Sequence, residues 1–155
     1  MVDVEYRPIR AADLLEIQAC NILCLPENYQ FKYYLYHYIS WPRCSWVASV
    51  ENKIIGYVLT KLEEEPGKTP WGHITSIAVL QPYRGLGVAE TLMKCAEISL
   101  FHFYKASHIT LHVRVSNSAA IHLYKKKLGF EVSSTDEKYY ADGEDAFNMK
   151  KAFNY

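Results

Sequence analysis

The sequence predicts a mixed α+β fold, with one mostly antiparallel twisted sheet flanked by about four helices. Three observations predict it. Short runs with a two-residue apolar period interleave with longer runs of helical period along the chain. Consecutive strand-like runs in the first half are joined by tight turns, the connection that antiparallel neighbours use. The length of 155 residues, half of them apolar or aromatic, suits one unit with one core, so residues 1–155 are expected to form a single domain.

Taken in order, Val4 to Ile9 alternates like a short strand, and Ala11, Ala12 and Asp13 open a helix along which Leu14, Ile17 and Cys20/Asn21 recur. From Tyr29 to Ile39, Tyr29, Tyr33 and Tyr36 share one stripe and Phe31, Leu35 and Tyr38 another. A helix here is apolar nearly all round, so one flank is free to face a partner. Strands follow at Trp46 to Val50 and Ile54 to Leu62, joined by a turn at Glu51, Asn52 and Lys53 and closed by the breaker run Glu64, Glu65, Pro66 and Gly67. His73 to Val79 is a further strand, Gln81 to Gly87 a loop, and Val88 to Tyr104 a long amphipathic helix. His108 to Val113 returns to strand, Asn117 caps a helix running to about Lys127, and Gly129 stops it. Phe130 to Val132 is extended, and Asp142 and Gly143 turn a last hairpin whose return strand is Ala146 to Lys150. No internal repeat, low-complexity tract or linker interrupts this order.

Composition narrows the function classes. Seventeen basic and seventeen acidic residues balance, which leaves no strong field to hold nucleic acid or an anionic membrane. Attachment to a ribosome or membrane therefore needs a partner. The N-terminus carries Asp3, Glu5 and Arg7 instead of a basic patch before an apolar run, and no apolar stretch approaches membrane-spanning length; a cytoplasmic protein, with a nuclear fraction allowed, is expected. Cys20, Cys24, Cys44 and Cys95 form no CxxC pair and read as reduced, buried thiols, and no metal ligand set is present.

The chemical centre is TSIAVLQPYRGLGVAETLM. It reads as a buried strand ending at Val79, a proline turn, and a helix whose first turn is built from Arg84, Gly85, Leu86, Gly87, Val88 and Ala89. Two glycines permit close backbone approach, and the positive end of the helix dipole lies there, so the loop suits a diphosphate held by main-chain N–H groups with Arg84 adding a charge. A plain helix start explains the glycines equally well when the loop is read alone.

Arg84, Gly87 and Ala89, directly after a strand reading SIAV, resemble the Q/R-x-x-G-x-G/A acetyl-CoA signature of the GNAT superfamily, and RVSNSAAIHLYKKKLGF resembles its second cofactor element. LPENY at Leu25 to Tyr29 and KYYADGEDAFNMKK at Lys138 to Lys151 narrow the resemblance to the amino-terminal acetyltransferases, in particular the catalytic-subunit family of the NatA complex. It covers the chain from about Val4 to Lys151. Two departures stand out. The chain stops soon after its last strand, where animal forms carry a long tail with a regulatory role, and Gly85 occupies the place of a second arginine, one charge fewer near the phosphates.

The resemblance implies the GNAT acyl-CoA N-acyltransferase fold, acetyl-CoA as cosubstrate, and direct acetyl transfer to the free α-amino group of protein N-termini. It implies a large helical-repeat auxiliary subunit, and ribosome contact only through it. Cofactor contacts fall on Ile77, Ala78, Val79, Arg84 to Ala89, Asn117, Ala120 and Tyr124, with the Val79 N–H facing the oxyanion. Glu27 would orient or deprotonate the amine, His112 relay its proton through water, and Tyr124 protonate the leaving thiol. Leu25, Pro26, Glu27, Tyr29, His73, Tyr139 and Tyr140 would bind the peptide, and His73 and Arg114 are weaker candidates for the proton chemistry. Each also has a plainer explanation: an acidic first helical turn for Glu27, a satisfied strand histidine for His112 and His73, a core tyrosine for Tyr124, a cap for Asn117, and cross-strand packing for Tyr139 and Tyr140. Lys125, Lys126 and Lys127 read as complementing a helix C-terminus in water, and Asp142, Glu144 and Asp145 as a solvated turn.

Two other functions fit the same residues. One is acetylation of a lysine side chain or small amine, which titrates about two units above an α-amine and needs stronger deprotonation. The other is a non-catalytic CoA-binding scaffold, against which the joint presence of Glu27, His112 and Tyr124 argues.

Overall fold

Glu51 and Asn52, with φ of 50° and 65°, adopt the left-handed pair that a two-residue hairpin needs to match the twist of its strands. This turn joins strand β2 (Trp46–Val50) to strand β3 (Lys53–Glu63), two neighbours in a seven-stranded sheet. The computed structural model describes residues 2–155. The remaining elements are β1 (Glu5–Pro8), α1 (Leu14–Cys24), α2 (Phe31–Ser40), β4 (Trp71–Val79), α3 (Val88–Tyr104), β5 (His108–Arg114), α4 (Ser118–His122), β6 (Glu131–Asp136) and β7 (Ala146–Ala152). Strand order is β1-β2-β3-β4-β5-β7-β6. Every pairing is antiparallel except that of β4 with β5.

Each face of the sheet carries its own core. On one, Leu92, Met93, Ala96 and Leu100 of α3 pack over Ala48, Ile55, Val58, Ile109 and Leu111. On the other, Leu14, Ile17 and Cys20 of α1 and Tyr34 of α2 cover Val47, Tyr57 and Leu59. Val58 thus serves one core and its neighbours Tyr57 and Leu59 the other, while Ile55, the extra residue between the Ala48↔Gly56 and Ser49↔Ile54 pairs, shifts the alternation and joins Val58, so the strand is apolar throughout its centre. Gly72 is required by close approach: a Cβ there would lie 2.3 Å from the Leu100 Cδ1 atom of α3.

Differences from the sequence expectation have local causes. α1 follows a 3₁₀ turn at Ala11–Asp13, where buried Asp13 accepts from the Arg10 N–H at 2.8 Å and pairs with Arg7 at 2.6 Å. α2 starts at Phe31, because Asn28 and Tyr29 hydrogen-bond to α1 and β4 instead of continuing a helix. The helix expected from Asn117 to Lys127 is α-helical only to His122 and then widens into a π turn over Leu123–Lys127, with Leu128 N–H donating to Leu123 C=O at 3.2 Å. β6 runs on to Asp136, and Asp142–Gly143 lie within a longer connection to β7.

Candidate active site

The site begins with a mismatch between β4 and its neighbours. Leu59 of β3 faces Ser76 while Thr60 faces Ile74, so Thr75 is an extra residue on β4, a β-bulge. On the other side β4 pairs with β5 only at Gly72↔Ile109 and His73↔Thr110, after which the strands diverge. The Leu80 N–H donates to Ile55 C=O at 2.8 Å, which directs even-numbered residues at this end of β4 toward β3. Ile77 and Val79 therefore turn their amides and carbonyls into the opening. The Val79 carbonyl there accepts from Arg84 Nε at 2.8 Å and from the Cys24 thiol at 3.7 Å.

One cavity, of about 450 Å³, occupies the glycine-loop side of this opening. Its wall includes Ile77, Ala78, Val79, Arg84, Gly85, Gly87, Val88, Ala89, Asn117, Ala120 and Tyr124, all expected at a cofactor site. Gly85 and Gly87 take φ of +77° and +80°, and no heavy atom lies within 4 Å of where a Cβ of either would sit. A ligand backbone-close to the loop fits that space, and Gly87 caps the N-terminus of α3, where free N–H groups converge. Leu86 departs from expectation. Lying between two left-handed glycines, its side chain turns to solvent, 59% exposed, and is not part of the wall. Asn117 performs the capping role, accepting from Ala120 N–H at 3.2 Å, while it lines the cavity. Burial pushes the Tyr124 phenol up to about 12, which keeps it protonated through the neutral range. Tyr83, Glu90, Leu123, Lys127 and Leu128 also line this space and were not anticipated.

A second, wider cavity of about 1020 Å³ meets the first. Leu25, Pro26, Glu27, Tyr29, His73, His112, Tyr139 and Tyr140 all line it, joined by Arg114 and Asp142. Cys24, Leu25, Ile77, Asn117, Ala120 and Tyr124 belong to both walls and mark the junction. Cys24 is half-buried there, as is Cys95 on α3, so of the four thiols expected to be buried only Cys20 and Cys44 are.

Arg114 organises the acceptor side. It binds Glu27 Oε1 at 2.6 Å, Asp142 at 2.8 Å and Glu144 at 3.0 Å, and its guanidinium lies 4.1 Å from the centre of the Tyr140 ring. These bonds, that to Glu27 foremost, raise the pKa of Arg114. Asp142 is held below the usual carboxylate range first by the Glu144 N–H and then by Arg114, and Glu144 first by the Ser116 hydroxyl and then by Arg114. Asp142 and Glu144 do lie in a turn, with Asp142 exposed as expected, and through Arg114 they also tie the β6–β7 connection to β5. Spacing gave no signal, because these partners are 28 and 30 residues from Arg114 in sequence.

The histidines are less available than expected. His112 Nε2 lies 2.8 Å from Asp136 Oδ2, Nδ1 is buried without a hydrogen-bond partner, and Tyr139 stacks on the ring at 4.2 Å. The ring lines the acceptor cavity with Nε2 committed to Asp136, which leaves Nδ1 as the nitrogen without a protein partner. His73 Nδ1 bonds Thr110 Oγ1 at 2.7 Å; burial, followed by the neighbouring His112, pushes its pKa down to about 3. It is a neutral wall.

A buried polar network fixes the Leu25–Tyr29 loop. Asn21 Nδ2 donates to the Glu27 carbonyl at 3.1 Å and to Tyr57 Oη at 3.0 Å, and Tyr57 Oη lies 2.6 Å from Ser76 Oγ. Asn28 donates to Asn21 Oδ1 at 2.9 Å. Tyr29 Oη donates to the carbonyl of bulged Thr75 at 3.2 Å, and His37 Nε2 meets its hydroxyl at 2.7 Å.

This arrangement has counterparts. The model of the family described as "Acetyltransferase (GNAT) family" matches residues 14–130. The N-terminal acetyltransferase A complex catalytic subunit ard1 of Schizosaccharomyces pombe is 52% identical over 153 residues, which cover 97% of this chain and 86% of that protein. N-alpha-acetyltransferase daf-31 of Caenorhabditis elegans is 51% identical over 149 residues, 96% of this chain and 82% of that one. Among solved structures, Arabidopsis thaliana Naa50 in complex with the bisubstrate analogue CoA-Ac-MVNAL superposes with a TM-score of 0.84 at 28% identity, covering 98% of this chain and all of that one. With a splayed β4–β5 pair, a glycine loop at the head of α3 and these relatives over nearly its whole length, the chain belongs to the GNAT family of acetyltransferases.

Proposed function

We propose that the chain transfers an acetyl group from acetyl-CoA to the free α-amino group of protein N-termini, by direct transfer in a ternary complex, as the catalytic subunit of a NatA-type complex. One observation carries this: two cavities, one beside the glycine loop and one beside Glu27, meet end to end along the unpaired edge of β4. The glycine loop suits the diphosphate, and the Ile77 N–H and carbonyl suit an amide of the pantetheine arm, since the Val79 carbonyl is already taken by Arg84 and Cys24. Relatives named as N-terminal acetyltransferases, at about half identity, support the acceptor class. The chain forms one catalytic domain in this reading.

Little acid–base power is needed. An α-amine titrates near about 8, so roughly a tenth is neutral at pH 7 and deprotonation adds only about 1.4 kcal/mol. Glu27, held by Arg114 in the wall of the acceptor cavity, orients the ammonium and takes its proton. His112 supports the wall with Asp136 instead of acting as the base. The Val79 N–H stabilises the oxyanion as the amine attacks. Tyr124 remains protonated and donates a hydrogen bond to the departing thiolate, whose own pKa near about 8.5 asks for no stronger acid. Tyr139 and Tyr140 close over the first peptide residues.

The acceptor assignment is tested with peptides bearing free or blocked N-termini. Acetylation of the free peptide alone is expected, whereas equal turnover of a blocked peptide at an internal lysine would overturn it. Glu27→Gln should lower turnover at least tenfold while calorimetric affinity for acetyl-CoA stays within about twofold. Unchanged turnover would remove Glu27 from the mechanism.

The auxiliary subunit has a candidate surface. Leu15, Ile22 and Leu23 of α1 and Phe31, Leu35, Tyr36 and Ile39 of α2 are exposed apolar side chains on two helices that pack together. We assign this face to a helical-repeat partner, through which the enzyme reaches the ribosome in the cytoplasm. No helix among the described residues is long and apolar enough to cross a membrane. Leu23→Glu with Ile39→Glu should abolish co-purification with that partner and leave the basal turnover of the isolated chain within about twofold. Undiminished co-purification would place the partner elsewhere.

A further inference from the structure

The three lysines after α4 are not equivalent. Asn117, Ala120, Leu123, Tyr124 and Lys127 recur at spacings of three and four, and all five line the cofactor cavity. Lys125 and Lys126 lie off that stripe and outside the wall. The π turn over Leu123–Lys127 keeps the stripe in phase: with an i→i+5 bond, one turn takes more than four residues, so Lys127 falls beneath Leu123 on the same face. Lys127 is exposed while it lines the cavity, so its ammonium stays in water within reach of a ligand bound there.

Charge makes this position consequential. Coenzyme A carries about four negative charges at neutral pH, shared between its diphosphate and its 3′-phosphate. The charged residues in the cavity wall are Arg84, Lys127 and Glu90. Arg84 commits its Nε to the Val79 carbonyl, which draws the guanidinium toward the strand end. Glu90 opposes an anion, although Lys94 partly neutralises it from 3.3 Å. Lys127 makes no ion pair among the described residues, so its ammonium has no competing carboxylate.

We propose that Lys127 binds a phosphate of coenzyme A and supplies, beside Arg84, the second cation of the cofactor cavity. The inference deepens the cofactor reading above and rests on it. Lysine suits the role as a point charge on a flexible stem, able to follow a phosphate at a solvent-exposed rim.

The test is calorimetric titration of the full chain and its variants with coenzyme A and with 3′-dephospho-coenzyme A at low salt. Lys127→Gln should weaken coenzyme A binding about fivefold to tenfold, while Lys127→Arg and the neighbouring control Lys126→Gln stay within about twofold of the parent. The loss should shrink as salt is raised toward about 0.5 M. An equal loss with both ligands places the contact on the diphosphate; a loss confined to coenzyme A places it on the 3′-phosphate. Either result supports the proposal. Parent binding with no loss in Lys127→Gln, or the same loss in Lys126→Gln, overturns this inference alone. Failure of the parent to bind coenzyme A overturns the cofactor reading as well.

Discussion

His73 and His37 carry imidazoles that burial drives far from their ordinary range, to about 3 and about 4, with the neighbouring His112 reinforcing the first. His73 also bonds Thr110, so it is placed as a neutral hydrogen-bonding wall of the acceptor cavity and takes no part in proton movement at neutral pH. Its ring resonances are therefore expected to stay flat from pH 8 to pH 5 in an NMR titration, and an inflection near 6.5 would contradict the burial argument. The same shifts make a stability statement. Both folded-state pKa values lie below that of the unfolded chain, near 6.5, so the unfolded state binds more protons there. Stability should fall as the pH drops below about 6.5 and continue to fall toward about 4, which denaturant titrations at stepped pH would reveal. Arg114 shows the reverse case: a side chain that stays charged, and whose three carboxylate partners come from two loops.

At the scale of elements, the determining feature is the bulge at Thr75. A β4 that paired fully with β5 would have no free edge amides and no opening for a cofactor arm. Thr75 is held from one side by α2, through His37 at 2.7 Å, and by Tyr29 at 3.2 Å. His37 is itself fixed, with Nδ1 2.8 Å from the Tyr33 carbonyl one helical turn earlier. The aromatic helix therefore does more than present an apolar face: its buried histidine anchors the irregularity that opens the sheet. His37→Phe keeps a ring of similar size and leaves the Thr75 hydroxyl without its partner, at a cost of about 1–3 kcal/mol. A lower thermal midpoint is expected, together with a raised KM for peptide. An unchanged midpoint would show that the bulge holds without this contact.

At the scale of the whole molecule, the two cores lie on opposite faces of one sheet, and the edge formed by β6 and β7 is tied to α3 through charge. Glu97 of α3 is 1% exposed and meets Lys151 of β7 at 3.0 Å. Desolvation raises the pKa of Glu97 and Lys151 opposes the rise. Since the folded carboxyl binds its proton more tightly than the unfolded one, this group costs stability as the pH rises through the ordinary carboxylate range. Lys151→Met removes the compensating charge and should destabilise by about 3 kcal/mol at neutral pH, where a buried carboxylate would stand alone. Protonation of Glu97 relieves that cost, so the drop in thermal midpoint relative to the parent should be larger at pH 8 than at pH 5. A pH-independent difference would locate the effect in packing of the lysine stem.

Much of this protein is written in local patterns. The two-residue period placed β2 at its observed bounds, the helical period placed α3 from Val88 to Tyr104, and Asn117 was legible as a cap. The glycine loop and the LPENY and KYYADGED blocks pointed to the residues that line the two cavities. Local pattern cannot report what depends on through-space meeting. Arg114 gathers carboxylates from distant loops, Asp136 takes the nitrogen of His112, Cys24 arrives at the junction of the cavities, and Leu86 turns outward between two left-handed glycines. Sequence determined which elements form and which backbone positions are free to approach a ligand, because dihedral preference and apolar period act over a few residues. Tertiary structure alone decided which titratable groups are paired, buried or left facing the cavities, because burial and ion pairing depend on how the two cores and the splayed strands bring remote side chains together.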